Sequence, residues 1–452
     1  MRNLSVSIVG LGYVGLTTAA CFASRGIKVV GVDVDKGRVR KILVGEPVIK
    51  ERGLQPLLDR GLRRGYLEFR SDLVKLDETD VSFITVGTPG RRDGSIDTSY
   101  VEGAAKEIGH CLRSRDDFHL VVVKSTVVPG TTVGKVKPVL EAESRTRIGD
   151  RIGLAVNPEF LREGSAVRDT LQPEALVVGA SNRKSSNLLL SLYREFYGRL
   201  PPTISTTLGN AELIKYSINA ARALQVSYVN FLANICSRIE SGEMRDVVAG
   251  LARIARLDKR YLGAGLGYGG SCLPKDTKAL FAFAQSIGVD ASLLDSVIGA
   301  NERQALEAVK MARKLVGTLN GKKAAVLGLA FKAGTDDVRE STAIRVIWAL
   351  LNEGAEVVTY DPEAAINARS LLGNKVTYAA SAKNCFTGAD ICIVATGWDE
   401  FKALKPSQFR RLMRSPAVVD GRRIFDPKHF RTGGVRFLRV GTAASTFPTR
   451  ES

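Results

Sequence analysis

Val6-Ser7-Ile8-Val9-Gly10-Leu11-Gly12-Tyr13-Val14-Gly15 is a short apolar run that breaks into a glycine-spaced turn, and Leu16 to Arg25 continues as a helix-compatible run. Strand, glycine turn and helix in that order are the setting in which G-x-G-x-x-G binds a dinucleotide. Gly10 and Gly12 permit a tight turn and close approach of a pyrophosphate, which sits on the helix N-terminus. A second strand, Lys28 to Val32, ends at Asp33, at the distance where an acid takes the adenosine ribose hydroxyls. A carboxylate there repels a 2′-phosphate, so the pattern predicts NAD over NADP, with Lys36 and Arg38 near enough to soften the repulsion.

Outward from this unit, Val81 to Val86 and Leu120 to Val123 read as strands ending in Gly87-Thr88-Pro89 and Lys124-Ser125-Thr126. The carboxyl ends of such strands line a ligand crevice, which places Thr88 and Thr126 near cofactor or substrate; ordinary turn chemistry explains Thr88 equally well. A further strand, Ile152 to Val156, leads into Asn157-Pro158-Glu159-Phe160-Leu161-Arg162-Glu163-Gly164. A helical turn there would set Glu159 and Glu163 on one face, as base and clamp or as a solvated helix start. Asn210 to Glu240 reads as one long helix with Lys215 and Asn219 on one face, where a buried lysine serves as proton acceptor or oxyanion partner and an exposed one serves neither.

In Gly267-Tyr268-Gly269-Gly270-Ser271-Cys272-Leu273-Pro274-Lys275-Asp276 a lone thiol stands in a glycine-rich turn beside a lysine and an aspartate. The small residues before Cys272 would let a ligand approach the backbone, and Pro274 suits the first turn of a helix. A thiolate at a helix N-terminus is a nucleophile, whereas a buried cysteine is a small hydrophobe; the motif alone does not decide. A second helical region spans Lys275 to Leu319, and then the alternation restarts. Ala324 to Leu327, Glu356 to Tyr360, Ile391 to Ala395 and Ala417 to Val419 are strands, with a turn at Gly328-Leu329-Ala330-Phe331-Lys332 and a helix over Ser341 to Asn352. Asp420-Gly421-Arg422 closes the last of these strands. This is a second nucleotide-binding α/β pattern without the full glycine set, and the tail after Gly441 reads as loosely ordered.

The chain's 452 residues exceed one core, and 44% hydrophobic with 25% charged residues is ordinary for a globular protein. No apolar run is long enough for a membrane span and no signal-peptide pattern follows Met1, so the expectation is a cytoplasmic protein. Six scattered cysteines make neither a disulfide framework nor zinc spacing, so no metal is expected. His110, His119 and His429 lie outside these motifs, which leaves proton transfer to lysine and carboxylates. The net charge of +18 is dispersed, fitting attraction of an acidic small molecule as well as of a polymer.

Together these segments resemble the UDP-glucose dehydrogenase family, within the broader UDP-glucose and GDP-mannose dehydrogenases. The motifs that carry the resemblance are Gly10 to Leu16, Lys124-Ser125-Thr126, Pro158 to Glu163, Lys215 with Asn219, Gly269 to Cys272 through Lys275-Asp276, and Thr335 to Ser341. It implies an α/β fold of two Rossmann-like doubly wound domains joined by a long central helix and a helical dimerisation region. Residues 1–200 would bind NAD, 201–318 would link, dimerise and carry Cys272, and 319–452 would bind the nucleotide of a UDP-sugar. The implied reaction is oxidation of a nucleotide-sugar alcohol to the acid with two NAD, by a homodimer that binds neither nucleic acid nor membrane.

The resemblance implies catalytic roles for Cys272, Lys215, Asp276, Glu159, Thr126 and Asn219. It places Gly10, Gly12, Tyr13, Val14, Gly15, Asp33, Thr88, Thr126, Glu163, Lys275 and Arg339 around NAD. Around the sugar nucleotide it places Phe160, Leu161, Glu163, Lys215, Asn219, Arg260, Gly267, Gly269, Phe331, Lys332 and Arg422, although the segment after Arg260 is shorter than the family's usual one. A hydroxyacid dehydrogenase would need neither Cys272 nor a second nucleotide domain, and a non-enzymatic nucleotide-binding protein would leave Cys272, Lys215 and Glu159 without a purpose.

Overall fold

The computed structural model describes residues 4–46, 48–73 and 76–443, in two compact units, Met1–Ile218 and Asn219–Ser452. In the first unit the strands are β1 (Ser5–Val9), β2 (Lys28–Val32), β3 (Leu67–Arg70), β4 (Val81–Ile84), β5 (His119–Val123), β6 (Ile152–Val156), β7 (Leu176–Ala180) and β8 (Thr203–Thr206). They form one sheet in the order β3-β2-β1-β4-β5-β6-β7-β8, parallel throughout except between β6 and β7. Val6, Ile8, Val81, Phe83, Leu120 and Val122 are fully buried. Central parallel strands covered on both faces must be apolar on both, which is why these segments read as unbroken apolar runs.

In the second unit β9 (Lys323–Leu327), β10 (Glu356–Tyr360), β11 (Thr377–Tyr378), β12 (Ile391–Val394), β13 (Ala417–Asp420) and β14 (Arg436–Arg439) form an all-parallel sheet in the order β11-β10-β9-β12-β13-β14. Counted from its own first strand, that order is the 3-2-1-4-5-6 of a dinucleotide-binding sheet, and the first six strands of the other unit follow it too. Both sheets are therefore of the expected doubly wound class.

Leu208–Cys236 is one continuous helix of 29 residues, and the division between the units falls within it. The expected helical region Lys275 to Leu319 is corrected to three helices, Leu273–Ser286, Ser292–Gln304 and Leu306–Val316. Gly288 at φ +75° supplies the left-handed residue that ends the first of them. Of the tail expected to be loosely ordered after Gly441, only the first two residues are described: the Gly441 carbonyl accepts from Met244 N–H (2.8 Å) and Ala443 N–H donates to the Gly242 carbonyl (2.9 Å). Residues 444–452 lie outside the described residues. No described helix is long and apolar enough to cross a membrane.

Candidate active site

In the first unit the glycine turn is built for a ligand at one position and for packing at two. Gly10 sits at φ +101°, where a Cβ would fall 2.8 Å from Val86 N, and a Cβ on Gly15 would fall 1.9 Å from the Gly10 carbonyl. A Cβ on Gly12 would meet nothing within 4 Å. Gly12 is also the N-cap of helix Tyr13–Ser24 and offers no side-chain cap, so an anion could approach the first N–H groups there. At the end of β2, Asp33 Oδ2 accepts from Leu11 N–H (2.7 Å) and Arg38 Nη1 (2.8 Å) while Oδ1 accepts from Asp35 N–H (2.9 Å). The bare Gly12, the uncapped helix end and the acid held beside the turn fit a dinucleotide. Thr88 is buried and donates to the Thr126 carbonyl at 2.8 Å, which ties two strand-end turns together.

Beyond β6 the chain runs extended through Asn157 to Arg162 and turns only at Glu163 and Gly164, so the expected helical turn over Glu159 and Glu163 is absent. Pro158 biases Asn157 away from helix, and Gly164 at φ +82° reverses the chain before a helix opens at Ala166. Glu159 and Glu163 therefore differ in burial, the first enclosed and the second half-buried. Glu159 is buried, accepts from Lys215 Nζ at its Oε1 (2.9 Å) and from Leu161 N–H at its Oε2 (2.6 Å), and gives its carbonyl to Lys215 Nζ (2.7 Å). Burial alone would raise its pKa, but the Lys215 ammonium, the two hydrogen bonds and the Lys124 charge outweigh that and hold the carboxyl below its ordinary range. Lys215 Nζ also lies 5.4 Å from the centroid of the Phe160 ring.

Behind this pair lies a buried cation that the sequence reading passed over. Lys124 Nζ donates to Asn157 Oδ1 (2.8 Å), which also accepts from the Tyr193 hydroxyl, while Asn157 Nδ2 donates to the Val177 carbonyl (2.9 Å). Burial lowers the Lys124 pKa to about 8. Lys124 closes β5 in the same short motif as Thr126, so the signal was its place at a strand end rather than its residue type.

In the second unit Cys272 is exposed and is the N-cap of helix Leu273–Ser286, with Pro274 in the first turn. Its sulfur lies 3.4 Å from Ser271 Oγ. One turn on, Asp276 is 1% exposed and accepts from Lys275 Nζ at Oδ1 (2.6 Å) and from Asn219 Nδ2 at Oδ2 (2.6 Å). A buried carboxylate with a hydrogen bond on each oxygen is a fixed charge close to the thiol's own helical turn. Lys215 and Asn219 lie four residues apart on the same helix, the first within one unit and the second within the other.

The glycines before Cys272 have a different cause from the one expected. Cβ atoms at Gly267, Gly269 and Gly270 would fall 2.6 Å from Asn301 Oδ1, 2.4 Å from the Glu340 carbonyl and 2.7 Å from the Phe331 ring. The protein itself fills the space that the sequence reading had left for a ligand. Asn301, also missed, accepts from Tyr268 N–H (2.8 Å) and donates to its carbonyl (3.0 Å), standing in for a strand partner. Gly267 and Gly270 also sit at positive φ, +103° and +86°, where a side chain would be strained.

Of the remaining candidates, Phe331, Arg339 and Arg422 meet the turn before Cys272, whereas Arg260 pairs locally. Phe331 packs on Gly270, with Lys332 Nζ 5.4 Å from its ring centroid. Arg339 pairs with Asp337, Nη2 to Oδ2 at 2.6 Å, and its carbonyl takes Gly270 N–H at 2.9 Å. Arg260 pairs with Asp258 two residues away, at 2.7 Å. Arg422 is half-buried beside the glycine turn, donating to the Ala395 carbonyl (2.6 Å), Thr342 Oγ1 (2.8 Å) and the Gly267 carbonyl (3.5 Å). Burial lowers its pKa to about 10. Among the described residues no cluster of three His, Cys, Asp or Glu side chains could hold a metal ion.

Comparison with known proteins matches the chain to three family models in succession. They are the NAD binding domain (residues 4–197), the central domain (209–303) and the UDP binding domain (325–427) of the UDP-glucose/GDP-mannose dehydrogenase family. A UDP-glucose 6-dehydrogenase of Haloferax volcanii is 43% identical over 93% of this chain and 97% of its own length. A GDP-mannose 6-dehydrogenase of Pseudomonas putida is 37% identical over 89% of this chain and 93% of its own. The solved structure of a UDP-glucose dehydrogenase from Pyrobaculum islandicum superposes with a TM-score of 0.90 at 38% identity, covering 98% of each chain. With its glycine turn, its exposed thiol at a helix N-cap and all three of these matches, the chain belongs to the UDP-glucose/GDP-mannose dehydrogenase family of NAD-dependent oxidoreductases.

Proposed function

We propose that the chain oxidises UDP-glucose to UDP-glucuronate through a thioester on Cys272. The observation that carries this reading is the exposed Cys272 at a helix N-cap with the buried Asp276 one turn on. An alcohol dehydrogenase that stops at the aldehyde has no use for such a thiol. NAD supplies the hydride acceptor for both oxidations. In the first, the alcohol proton passes through a water held by Lys215 and Asp276 to the Asp276 carboxylate, and the Lys215 ammonium steadies the oxyanion. Cys272 sulfur adds to the aldehyde carbon, and its proton passes to the oxygen. Loss of the second hydride leaves the thioester, and a water activated by Glu159 and placed by Thr126 cleaves the carbon–sulfur bond and restores the thiol. One alcohol, two NAD and one water thus give one carboxylate, two NADH and three protons.

In this reading residues 1–200 serve NAD, 201–318 carry Cys272 and pair subunits, and 319–452 hold the nucleotide through Phe331 and Lys332. Helix Leu208–Cys236 leaves Leu224 (41%), Tyr228 (46%), Phe231 (58%) and Ile235 (42%) exposed, apolar surface that supports a homodimer. The Pseudomonas putida relative makes GDP-mannose the alternative substrate. The test is NADH released per sugar consumed, with UDP-glucose and GDP-mannose side by side. Two NADH from UDP-glucose, and no acid from Cys272→Ala, are expected. One NADH per sugar, or near-normal turnover in Cys272→Ala, would overturn the thioester; turnover of GDP-mannose alone would overturn the substrate.

A further inference from the structure

Glu51 stands outside the sequence motifs of the site, yet its carboxylate joins two of them. The Tyr13 hydroxyl, from inside the glycine turn, donates to Glu51 Oε2, and the same oxygen accepts from Gly164 N–H at 2.8 Å. Gly164 N–H lies equally close, 2.8 Å, to the Tyr13 oxygen, so the three groups form one closed cluster. They are 113 and 151 residues apart in sequence from Gly164, within a single compact unit. Glu51 Oε1 is buried with no hydrogen-bond partner, which leaves the carboxylate held by one oxygen alone. The Tyr13 phenol is pushed upward in pKa, first by burial and then by the Glu51 carboxylate that accepts its proton, so it remains a donor.

Gly164 ends the segment that carries Glu159, Leu161 and Glu163. Other contacts hold that segment as well. Glu159 is held by Lys215, and Arg162 holds Asp169 through its main-chain N–H (3.0 Å), Nε (3.0 Å) and Nη2 (2.6 Å). Neither Lys215 nor Asp169 belongs to the glycine turn. The Glu51 cluster is the anchor that includes it, through Tyr13, and it acts where Gly164 takes φ +82°, at the point where the chain reverses.

We infer that Glu51 is a positioning residue for the reaction proposed above: with Tyr13 it takes the Gly164 N–H and so registers segment Glu159–Gly164 against the turn that receives the cofactor. Removing it leaves the segment attached at Glu159 and Arg162 and leaves Gly164 N–H only the Tyr13 oxygen, a hydroxyl no longer held by a carboxylate, so the register against that turn loosens. A misplacement of about 1 Å at a reacting centre costs on the order of a hundredfold in rate. The inference rests on the reading of the glycine turn and the Glu159 segment as cofactor and substrate sites.

The experiment uses the full chain with Glu51→Ala, Glu51→Asp and Glu51→Gln. Three quantities are read: amide hydrogen exchange at Gly164, kcat/KM for the nucleotide sugar, and the dissociation constant of NAD. In Glu51→Ala the Gly164 N–H should exchange at least about tenfold faster and kcat/KM should fall about ten- to a hundredfold, with the NAD constant within about threefold. Glu51→Asp keeps the charge but loses reach, so it should fall in the same direction and serves if the alanine variant does not fold. Glu51→Gln keeps an oxygen acceptor at full reach and should regain most of both losses. Unchanged exchange and kcat/KM in the alanine and aspartate variants would overturn the inference. Equal loss in all three variants together with a lowered thermal midpoint would overturn it as well, by making Glu51 merely structural. If the unmodified protein oxidises no nucleotide sugar, the proposed reaction fails on its own, and Gly164 exchange still decides for or against the cluster.

Discussion

The first turn of each sheet starts from the same geometry and ends in opposite uses. Gly10 and Gly328 both sit at φ +101°. Gly10 N–H donates to the Val32 carbonyl at 2.8 Å and Gly328 N–H to the Tyr360 carbonyl at 2.7 Å. The acid just after the second strand, Asp33 in one unit and Asp361 in the other, accepts from the residue next to the glycine, Leu11 or Leu329, at 2.7 Å in each case. From there the units part. After Gly10 a helix opens at Tyr13 with its N-terminus uncapped and Gly12 bare. After Gly328 the helix waits until Thr342, and Ser341 caps it through Ala343 N–H (3.3 Å) while donating to the Leu329 carbonyl (2.7 Å). Asp361 also receives Ala330 N–H and the Trp398 indole N–H, both at 3.0 Å. The second turn has spent on its own side chains the donors and acceptors that the first leaves for a ligand. Sheet order and the leading glycine shape the chain; the residues between that glycine and the helix select the ligand.

The likeness of the two turns can be broken first at the glycines themselves. Gly10→Val and Gly328→Val should each cost about 3 kcal/mol or more, since both put a β-branched residue at positive φ against Val86 or Thr396. Urea unfolding that showed one change to be cheap would deny the equivalence of the turns. Acid should separate the units next. His119 is fully buried in β5, bonded to Ser82 Oγ (2.7 Å) and the Thr79 carbonyl (2.9 Å), with Arg115 and Asp80 nearby. Burial, helped by the Arg115 charge, lowers its pKa to about 3. The folded state holds the ring neutral, so its contribution is complete above the unfolded value near 6.5 and is lost as pH falls from there toward 3. Between pH 7 and pH 5 that is about 2 kcal/mol lost by the first unit.

Both tryptophans, Trp348 and Trp398, belong to the second unit, whose buried Asp420 is raised in pKa by burial and gains from protonation rather than losing. Urea midpoints followed by circular dichroism should therefore fall at pH 5 while the tryptophan-monitored transition holds, and coincident shifts would refute the separation. Gly12→Ala should leave stability within about 1 kcal/mol yet weaken NAD about tenfold or more, read by fluorescence titration, because its Cβ enters open space that only a ligand would need. The smallest effect belongs to Trp398→Phe, about 1 kcal/mol from the lost bond to Asp361 with NAD affinity unchanged.

Legibility in the sequence divided along the same line. The β1 turn could be read because strand, glycines and Asp33 fall within one short window. So could the restart at β9, from its apolar runs. The strands β3, β8, β11 and β14 escaped because they are short or carry polar faces; β7 is an apolar run like the central strands and was overlooked, and its antiparallel pairing with β6 leaves no mark in the sequence. Among the candidate residues, Cys272, Lys215 and Asp276 could be singled out by residue type and neighbours. Glu51, Asn157, Asn301 and Tyr193 could not, because their meaning lies in contacts formed across long sequence separations. The glycines of Gly267 to Gly270 were visible but misjudged, since a sequence shows that space is needed without showing what fills it.

The distribution of the thiols makes the chain a ready-made substrate for covalent labelling. Cys21, Cys236, Cys385 and Cys392 are buried and Cys111 is half-buried, while Cys272 is exposed. Burial also pushes Cys21 and Cys385 up to about 12, so they stay protonated at any working pH. A small alkylating reagent in limited amount should mark Cys272 first, which would let that thiol be counted, isotopically tagged or wired to a reporter without removing a single native cysteine.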